Sequence, residues 1–246
     1  MTDKRAGSDL ERIDQIRRDF VANASHELRT PLTVLRGYLD MMNEEAVAGG
    51  ALEPWRDPLE NMGQQAERME RIIGDMLTLA RLEVEGSARN EEHVNVAIMI
   101  DKIMRQAESM SQGSHIIQID VQDDVGLRGQ AAELENAFSN LVFNAIQHTP
   151  PGTRVEVSWH RQDSQAVFEV RDNGQGIPAE DIPRLTERFY RVNVARSRAT
   201  GGTGLGLAIV KHALERHDSR LDIESQPGAG TVFSCRFPPE RIFEDR

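Results

Sequence analysis

The sequence predicts an α+β protein that joins a helical N-terminal part to a domain in which helices cover one face of a β-sheet. Apolar residues recur at helical spacing through the first 90 positions, whereas strand and helix patterns mix without strict alternation in the remainder. Hydrophobic residues make up 39% of the 246 residues, which is enough to form a sizeable core.

Composition excludes several classes of protein. The formal net charge of −11 does not fit a general nucleic-acid binder, which carries a basic surface. The single cysteine, Cys235, excludes an internal disulfide framework and fits a reducing compartment. No run approaches the ~18 apolar residues of a membrane helix. We expect a chain that is soluble as written, and the cytoplasmic part of a longer membrane protein fits the same composition.

Two long amphipathic helices are predicted before residue 90. In each, apolar or small residues recur at intervals of three, four and seven, which places them on one stripe. The first stripe is Leu10, Ile13, Phe20, Ala24, Leu28, Leu35 and Met42, and the second is Leu59, Met62, Ala66, Met69, Ile73, Met76 and Ala80. A single hairpin leaves such stripes half covered, so we expect two copies to pair as a four-helix bundle.

The heptad pattern stops near residues 86–90, and mixed elements follow. We place the domain boundary there, giving domains 1–89 and 90–246. A helix is predicted over 93–112, entered through a short extended piece, and two more over 133–148 and 206–216. The predicted strands are 116–121, 155–159, 166–170, 221–224 and 231–237.

The first helix carries an exposed histidine. His26 lies about 200° from the centre of the apolar stripe, and Thr30 shares its face one turn later. Glu27 is adjacent, and Pro31 should kink the helix. A surface histidine without a role is the alternative, but a kink directly after an exposed His-Glu pair favours function.

An asparagine pair stands on a later helix. Asn140 and Asn144 are four residues apart and therefore share a helix face. Amide oxygens can bind Mg²⁺ together with phosphate oxygens. Taken alone, the pair also fits two solvated side chains.

Two glycine-rich segments follow. Asp172 ends a predicted strand and precedes Gly174 and Gly176, so its carboxylate could accept a hydrogen bond from an amine while the backbone approaches a flat ring. Residues 201–207 are glycine-rich and lead into a helix, which is a typical cradle for phosphate. An ordinary turn and an ordinary loop are the alternatives when each is taken alone.

In this order and combination, the motifs resemble those of the sensor histidine kinases, and the resemblance covers nearly the whole chain. The matching segments are 25–32, 136–148, 172–177, 188–191 and 201–207. Four segments further resemble the phosphate-regulon members of the family, namely 20–23, 33–39, 183–191 and 208–212.

The resemblance implies a fold and an activity. The first domain would dimerise and carry a phosphorylated histidine, and the second would bind ATP in a two-layer α/β sandwich of the histidine kinase/Hsp90/gyrase type, with a mobile lid. The activity would be autophosphorylation, transfer to an aspartate of a response-regulator receiver domain of the PhoB type, and dephosphorylation of that partner. Phosphate starvation would be the signalling context, and a preceding segment would anchor the protein in the bacterial inner membrane.

The resemblance also implies roles for single residues. His26 would attack the γ-phosphate, Glu27 would hold its tautomer, and Thr30 would orient a water for dephosphorylation. Asn144, with Asn140, would hold Mg²⁺. Adenine would be contacted by Asp172, Gly174, Gly176, Ile177 and Thr231. The phosphates would be contacted by Arg191, Gly202, Thr203, Gly204, Leu205, Gly206 and Leu207.

The chain departs from the family pattern at one position. Many members have a basic residue three positions after the second asparagine, where this chain has Gln147. His148 follows, and it would contact phosphate as a cation only when protonated.

Two other classes of protein share part of this pattern. ATPases such as gyrase, Hsp90 and the mismatch-repair proteins resemble the chain at its Asn and Gly motifs. They carry a water-activating Glu where this chain has Asn140, and they lack a motif like residues 25–32. A dimeric scaffold with a degenerate ATP site would have lost a key group, whereas His26, Asn144 and Asp172 are all present.

The face of the first helix that carries His26 is also predicted to bind the partner. Thr33, Gly37 and Met41 project on that side. Glycine in a helix costs about 1 kcal/mol relative to alanine, so Gly37 is unusual on a face that only meets water. We predict a docking strip here, and packing against the second helix of the bundle is the alternative.

Overall fold

The computed structural model describes residues 32–48, 51–84, 91–122, 125–192 and 202–244. By its contacts the chain divides into two compact units, Met1–Val84 and Glu85–Arg246. Within the described ranges, no helix combines the length and the apolar composition that crossing a membrane requires. The predicted boundary at residues 89 and 90 stays a prediction.

The first unit contains two helices that pack on each other. Helix α1 is described over residues 32–47, a short 3₁₀ helix spans Glu53–Trp55, and helix α2 spans Arg56–Val84. Their shared core consists of Leu39, Ala46, Leu59 and Ala66, with Leu32 and Leu52 packed against it. An ion pair between Arg36 and Glu70 also joins the two helices, with the guanidinium Nη1 3.0 Å from Oε2.

Only part of each predicted apolar stripe is buried in the single chain. On α1, Leu35 is 46% exposed, whereas Leu39, outside the predicted stripe, is buried. On α2, Leu59 and Ala66 are buried, whereas the methionines of the same stripe are exposed. Met42 of the same α1 stripe is also exposed, at 41%. A single hairpin therefore leaves apolar residues uncovered, as expected.

The second unit is built on a five-stranded sheet with the order β2-β4-β5-β7-β6, in which β2 and β4 run parallel and the other neighbours antiparallel. A small antiparallel sheet has the order β1-β3-β8. The strands are β1 Glu92–Val94, β2 Ile116–Val121, β3 Val125–Gly129, β4 Arg154–Gln162, β5 Gln165–Asp172, β6 Arg220–Gln226, β7 Gly230–Phe237 and β8 Ile242–Glu244. The helices are α3 Val96–Ser111, α4 Ala131–His148 and α5 Gly206–Arg216.

Helices cover one face of the larger sheet. Phe138 of α4 stacks on Phe168 of β5 with ring centroids 3.9 Å apart, and Phe237 of β7 meets Phe138 edge-on. Along β4, Val155 and Val157 are buried while their alternating neighbours are partly exposed. This confirms the predicted layer of helices on one face of a sheet.

Most of these elements agree with the sequence predictions, but the small sheet was not predicted. The strand over 116–121 and the helix over 206–216 have the predicted bounds, and α4 begins two residues earlier than predicted. Strands β3 and β8 were not predicted, because both are short and β3 contains two glycines. At Gly126 a side chain would collide with Phe243, so glycine, a poor strand former, is required there by packing.

Buried polar contacts fix the position of α4 against α5. The backbone N–H of Gln130, just before α4, donates to Nε2 of His217 at 3.0 Å. Burial lowers the pKa of His217, so the ring is neutral and can accept this bond. Arg216 pairs with Glu133 at 3.0 Å, and both side chains are largely buried. These contacts hold in place the two helices that carry the predicted phosphate and metal residues.

Candidate functional site

Asp172 is the buried carboxylate of the site. It ends β5, is 6% exposed, and its Oδ1 accepts from the backbone N–H of Gly174 at 2.8 Å. Burial raises its pKa, and the N–H groups of Gly174 and Thr231, which both bond to the carboxylate, oppose that rise. The result is a fixed hydrogen-bond acceptor in a dry environment, suited to an amine donor.

The turn after Asp172 requires glycine at position 176. Gly176 has a φ of +68°, and a Cβ there would lie 2.0 Å from the carbonyl oxygen of Gln226. The amide of Gln175 donates to the carbonyl of His148 at 3.1 Å, which ties the turn to the end of α4. Gly176 therefore lets the turn pack directly against the end of β6, which fixes the turn beside Asp172.

The asparagine pair lies on α4 with one amide orientation fixed. Nδ2 of Asn140 donates to the side-chain oxygen of Asn136 at 2.7 Å and to its carbonyl at 2.9 Å. Its Oδ1 faces Gly206, where a Cβ would lie 2.6 Å from that oxygen. Asn144 stands one turn further along α4 and is partly buried. Both donor hydrogens of Asn140 are thus used inside the helix, and the oxygen faces the glycine run.

Hydrogen bonds join the glycine run, residues 202–206, to the segment 188–191. The N–H of Phe189 donates to the carbonyl of Gly204 at 2.8 Å, and the two residues have φ values of +63° and +74°. The guanidinium of Arg191 donates to the carbonyl of Gly202. The run then enters α5 at Gly206, where the helix N–H groups are available to an anion.

A stacked group supports this segment. The hydroxyl of Tyr190 donates to Asp181 at 2.5 Å, and the guanidinium of Arg184 lies 4.1 Å from the centre of the Tyr190 ring. The hydrogen bond to Asp181 raises the pKa of Tyr190. Phe189, which precedes Tyr190 in the chain, is 56% exposed.

The predicted nucleotide residues that the structure describes all lie in the second unit, and the contacts above form two groups, one around Asp172 and one around residues 202–206. Those described there are Arg191, Asn140, Asn144, His148, Asp172, Gly174, Gly176, Ile177, Gly202, Thr203, Gly204, Leu205, Gly206, Leu207 and Thr231. Leu205 is buried and acts as part of the core beneath the run. The predicted catalytic residues His26, Glu27 and Thr30 lie outside the described residues, as does Gly201.

Two residues that organise this site were not predicted from the sequence. Asn136 fixes the amide of Asn140, and Ser225 of β6 bonds to the turn after Asp172 through the N–H of Ile177 at 2.8 Å. A third asparagine four residues before Asn140 was a usable signal for the first. No sequence pattern marks Ser225, because its role depends on strand pairing with β7.

Comparison with known proteins assigns both parts of the chain to described families. Residues 16–85 match the model of the His Kinase A (phospho-acceptor) domain, and residues 129–241 match that of the histidine kinase-, DNA gyrase B-, and HSP90-like ATPases. The chain is 45% identical to the phosphate regulon sensor protein PhoR of Pseudomonas aeruginosa, over 96% of this chain and 53% of that protein. It is 36% identical to PhoR of Haemophilus influenzae, over 94% and 53%.

A solved structure supports the fold. Full-length ShkA in complex with AMPPNP superposes with a TM-score of 0.69 at 22% identity, over 90% of this chain and 45% of that one. The chain spans about half the length of the curated relatives it matches.

Proposed function

Because this chain belongs to the sensor histidine kinases, we propose that it transfers the γ-phosphoryl group of ATP to His26 and then to an aspartate of a response regulator. The proposal rests on the environment of Asp172. This buried carboxylate accepts hydrogen bonds from two backbone N–H groups and precedes a glycine-containing turn. PhoR-like phosphate signalling is the proposed context, since two relatives named PhoR match more than nine tenths of the chain.

ATP is the proposed substrate of the second unit. Its adenine amine would donate to Asp172, with Gly174, Gly176 and Ile177 along the ring and Thr231 beside the carboxylate. Its phosphates would lie along residues 202–207 at the N-terminus of α5, where backbone N–H groups and the helix dipole favour negative charge. Arg191, beside Gly202, would add positive charge near the phosphates, and His148 would do so only when protonated.

The residues fit a magnesium ion. Asn140 presents an amide oxygen, because both of its amide hydrogens are bonded to Asn136. Asn144 would supply a second amide oxygen from the same helix face. Mg²⁺ bound there would neutralise charge on the phosphates.

The first unit would supply the nucleophile. A ring nitrogen of His26 would form a bond to the γ-phosphorus as the bond from that phosphorus to the β–γ bridging oxygen breaks, and ADP leaves. Glu27 would hold the other ring nitrogen, and Thr30 would position water for dephosphorylation of the partner. The match of residues 16–85 to a phospho-acceptor family supports these roles.

Exposed apolar residues support a homodimer. Met62, Met69 and Met76 recur every seven residues on α2 and are 53%, 46% and 50% exposed in the single chain. Leu35 and Met42 form a similar line on α1. Because such heptad lines are covered by partner helices in bundles, we propose that a second hairpin packs on them.

A groove on the first unit supports partner docking. A cavity of about 520 Å³ lies between α1 and α2, and its lining includes Thr33, Gly37, Arg36 and Glu70. A Cβ built on Gly37 would meet nothing within 4 Å, and Met41 nearby is 68% exposed. We propose that a receiver domain of the PhoB type docks here, where a glycine admits a close approach.

The proposal is tested with the full chain and ATP labelled in the γ position. We expect an acid-labile, base-stable phosphoprotein. Release of labelled inorganic phosphate without labelled protein would instead identify an ATPase of the gyrase and Hsp90 kind. Nucleotide binding with neither product would identify a scaffold, and either result would contradict the kinase assignment.

A further inference from the structure

Ser225 joins three segments around the proposed adenine site. Its hydroxyl oxygen lies 2.8 Å from the N–H of Ile177, 2.9 Å from the carbonyl oxygen of Gly230 and 2.9 Å from Oγ1 of Thr231. Ile177 belongs to the glycine turn, and the other two partners belong to β7. The side chain is partly buried and fully engaged.

The chemistry of these partners fixes the direction of each bond. A hydroxyl has one proton to donate and two lone pairs to accept with. The Gly230 carbonyl can only accept, so the Ser225 proton goes to it, and the Ile177 N–H can only donate. The hydroxyl of Thr231 must therefore donate to Ser225, which leaves the lone pairs of Thr231 as acceptors.

Thr231 stands directly beside Asp172. The two residues are paired across β5 and β7, so their side chains share one face of the sheet. Thr231 is 4% exposed, and its backbone N–H bonds to the Asp172 carboxylate. The base site therefore presents two neighbouring acceptors, a carboxylate and a hydroxyl oxygen.

We propose that Ser225 is a specificity-determining positioning residue, which holds Thr231 as an acceptor and so selects adenine over guanine. This rests on the proposed function, in which the base of ATP meets Asp172. The amine of adenine offers two protons to acceptors, directly or through water, whereas the carbonyl at the same position of guanine offers none. Without Ser225, the Thr231 hydroxyl can rotate and donate to guanine.

The test measures affinity for the β,γ-imido analogues of ATP and GTP by calorimetry on the full chain. For Ser225→Ala we expect ATP-analogue affinity to fall about tenfold, the effect of one hydrogen bond, and the ATP-to-GTP ratio to fall at least as much. Ser225→Thr should restore both. Ser234→Ala is the matched control, since that hydroxyl donates to Glu169 from the opposite face of β7, and it should leave the ratio unchanged.

A second variant tests the same role of Ser225 if Ser225→Ala folds poorly. Thr231→Val removes the acceptor itself and should lower the ratio similarly, and adding Ser225→Ala to it should lower the ratio no further. Equal losses for both nucleotides in Ser225→Ala would mean a merely structural role and would overturn the inference.

Asp172→Asn, measured in parallel, distinguishes a wrong nucleotide site from a wrong role of Ser225. If it leaves ATP-analogue affinity unchanged, the proposed nucleotide site is wrong, and the inference falls with it. If it weakens binding while Ser225→Ala leaves the ratio intact, only the role of Ser225 is wrong.

Discussion

The two units of the chain differ in where their important side chains find partners. In the sheet unit, Asp172, Asn140 and Ser225 are bonded to groups of the same unit. In the hairpin unit, Met62, Met69 and Met76 stand exposed although their spacing is that of a helix seam. These polar side chains of the sheet unit thus find partners within that unit, whereas the hairpin leaves an apolar line uncovered, as the proposed dimer requires.

The difference separates two kinds of function in one chain. Nucleotide recognition should depend on contacts inside the sheet unit and tolerate changes in the hairpin. Dimerisation and partner docking should depend on surfaces of the hairpin and tolerate changes around Asp172. Substitutions in one unit should therefore leave the measured property of the other unchanged.

The largest expected effect is the loss of phosphorylation in His26→Ala. Phosphate incorporation should fall to background, because the proposed acceptor nitrogen is gone, while ATP affinity stays at the parental value. Labelled ATP measures the first property and calorimetry the second. Substantial incorporation in this variant would place the acceptor elsewhere.

Met69→Lys should disrupt the dimer. Burying a methionine contributes about 1.5–3 kcal/mol, and a symmetric dimer buries two copies, so we expect a shift to monomer in sedimentation. Gln64→Lys, on an exposed position of the same helix, is the matched control and should remain dimeric. Nucleotide affinity should not change in either variant, and a dimer that survives Met69→Lys would remove this line from the interface.

Asp172→Asn should weaken ATP binding by about 1–3 kcal/mol, because the amide must rotate to accept and leaves a buried donor poorly paired. The parent should bind GTP poorly, since guanine lacks the donor. Asp163→Asn, in the exposed turn between β4 and β5, is the matched control for calorimetry. Equal ATP affinity in parent and Asp172→Asn would exclude this carboxylate from the site.

The double variant Gly37→Gln, Met41→Lys should slow phosphotransfer to the receiver domain roughly tenfold, as the loss of about 1.4 kcal/mol of docking energy would do. Autophosphorylation at His26 should survive, which provides the internal control. Transfer at the parental rate would show that the docking surface lies elsewhere on the hairpin. The next candidate is α2 over residues 59–80.

Thr30→Ala should have the smallest effect. We expect autophosphorylation at the parental rate and slower dephosphorylation of the phosphorylated partner, because the sequence predicts Thr30 on the helix face of His26. Both rates are followed with purified partner. Equal loss of the two activities would indicate a structural role in the turn before Pro31.

Elements with strong local patterns were predictable from sequence. The alternating apolar residues of β2 and the glycine-to-arginine span of α5 gave correct bounds, and α2 followed from its heptads. Strands β3 and β8 were not predictable, because a three- to five-residue strand gains its stability from pairing with a distant partner. Spacing within α1 likewise does not show that Leu39, rather than Leu35, packs against α2, because that depends on where the second helix lies.

The sequence by itself determined the family, the order of the motifs and the candidate residues of the proposed nucleotide site, since each motif is a local run. Only the tertiary structure decided how those residues are oriented. The amide oxygen of Asn140 faces Gly206 of α5, and the hydroxyl of Thr231 is fixed by Ser225, which strand pairing brings from β6. A hydrogen bond has a direction, and that direction depends on neighbours distant in the chain, which a local pattern does not contain.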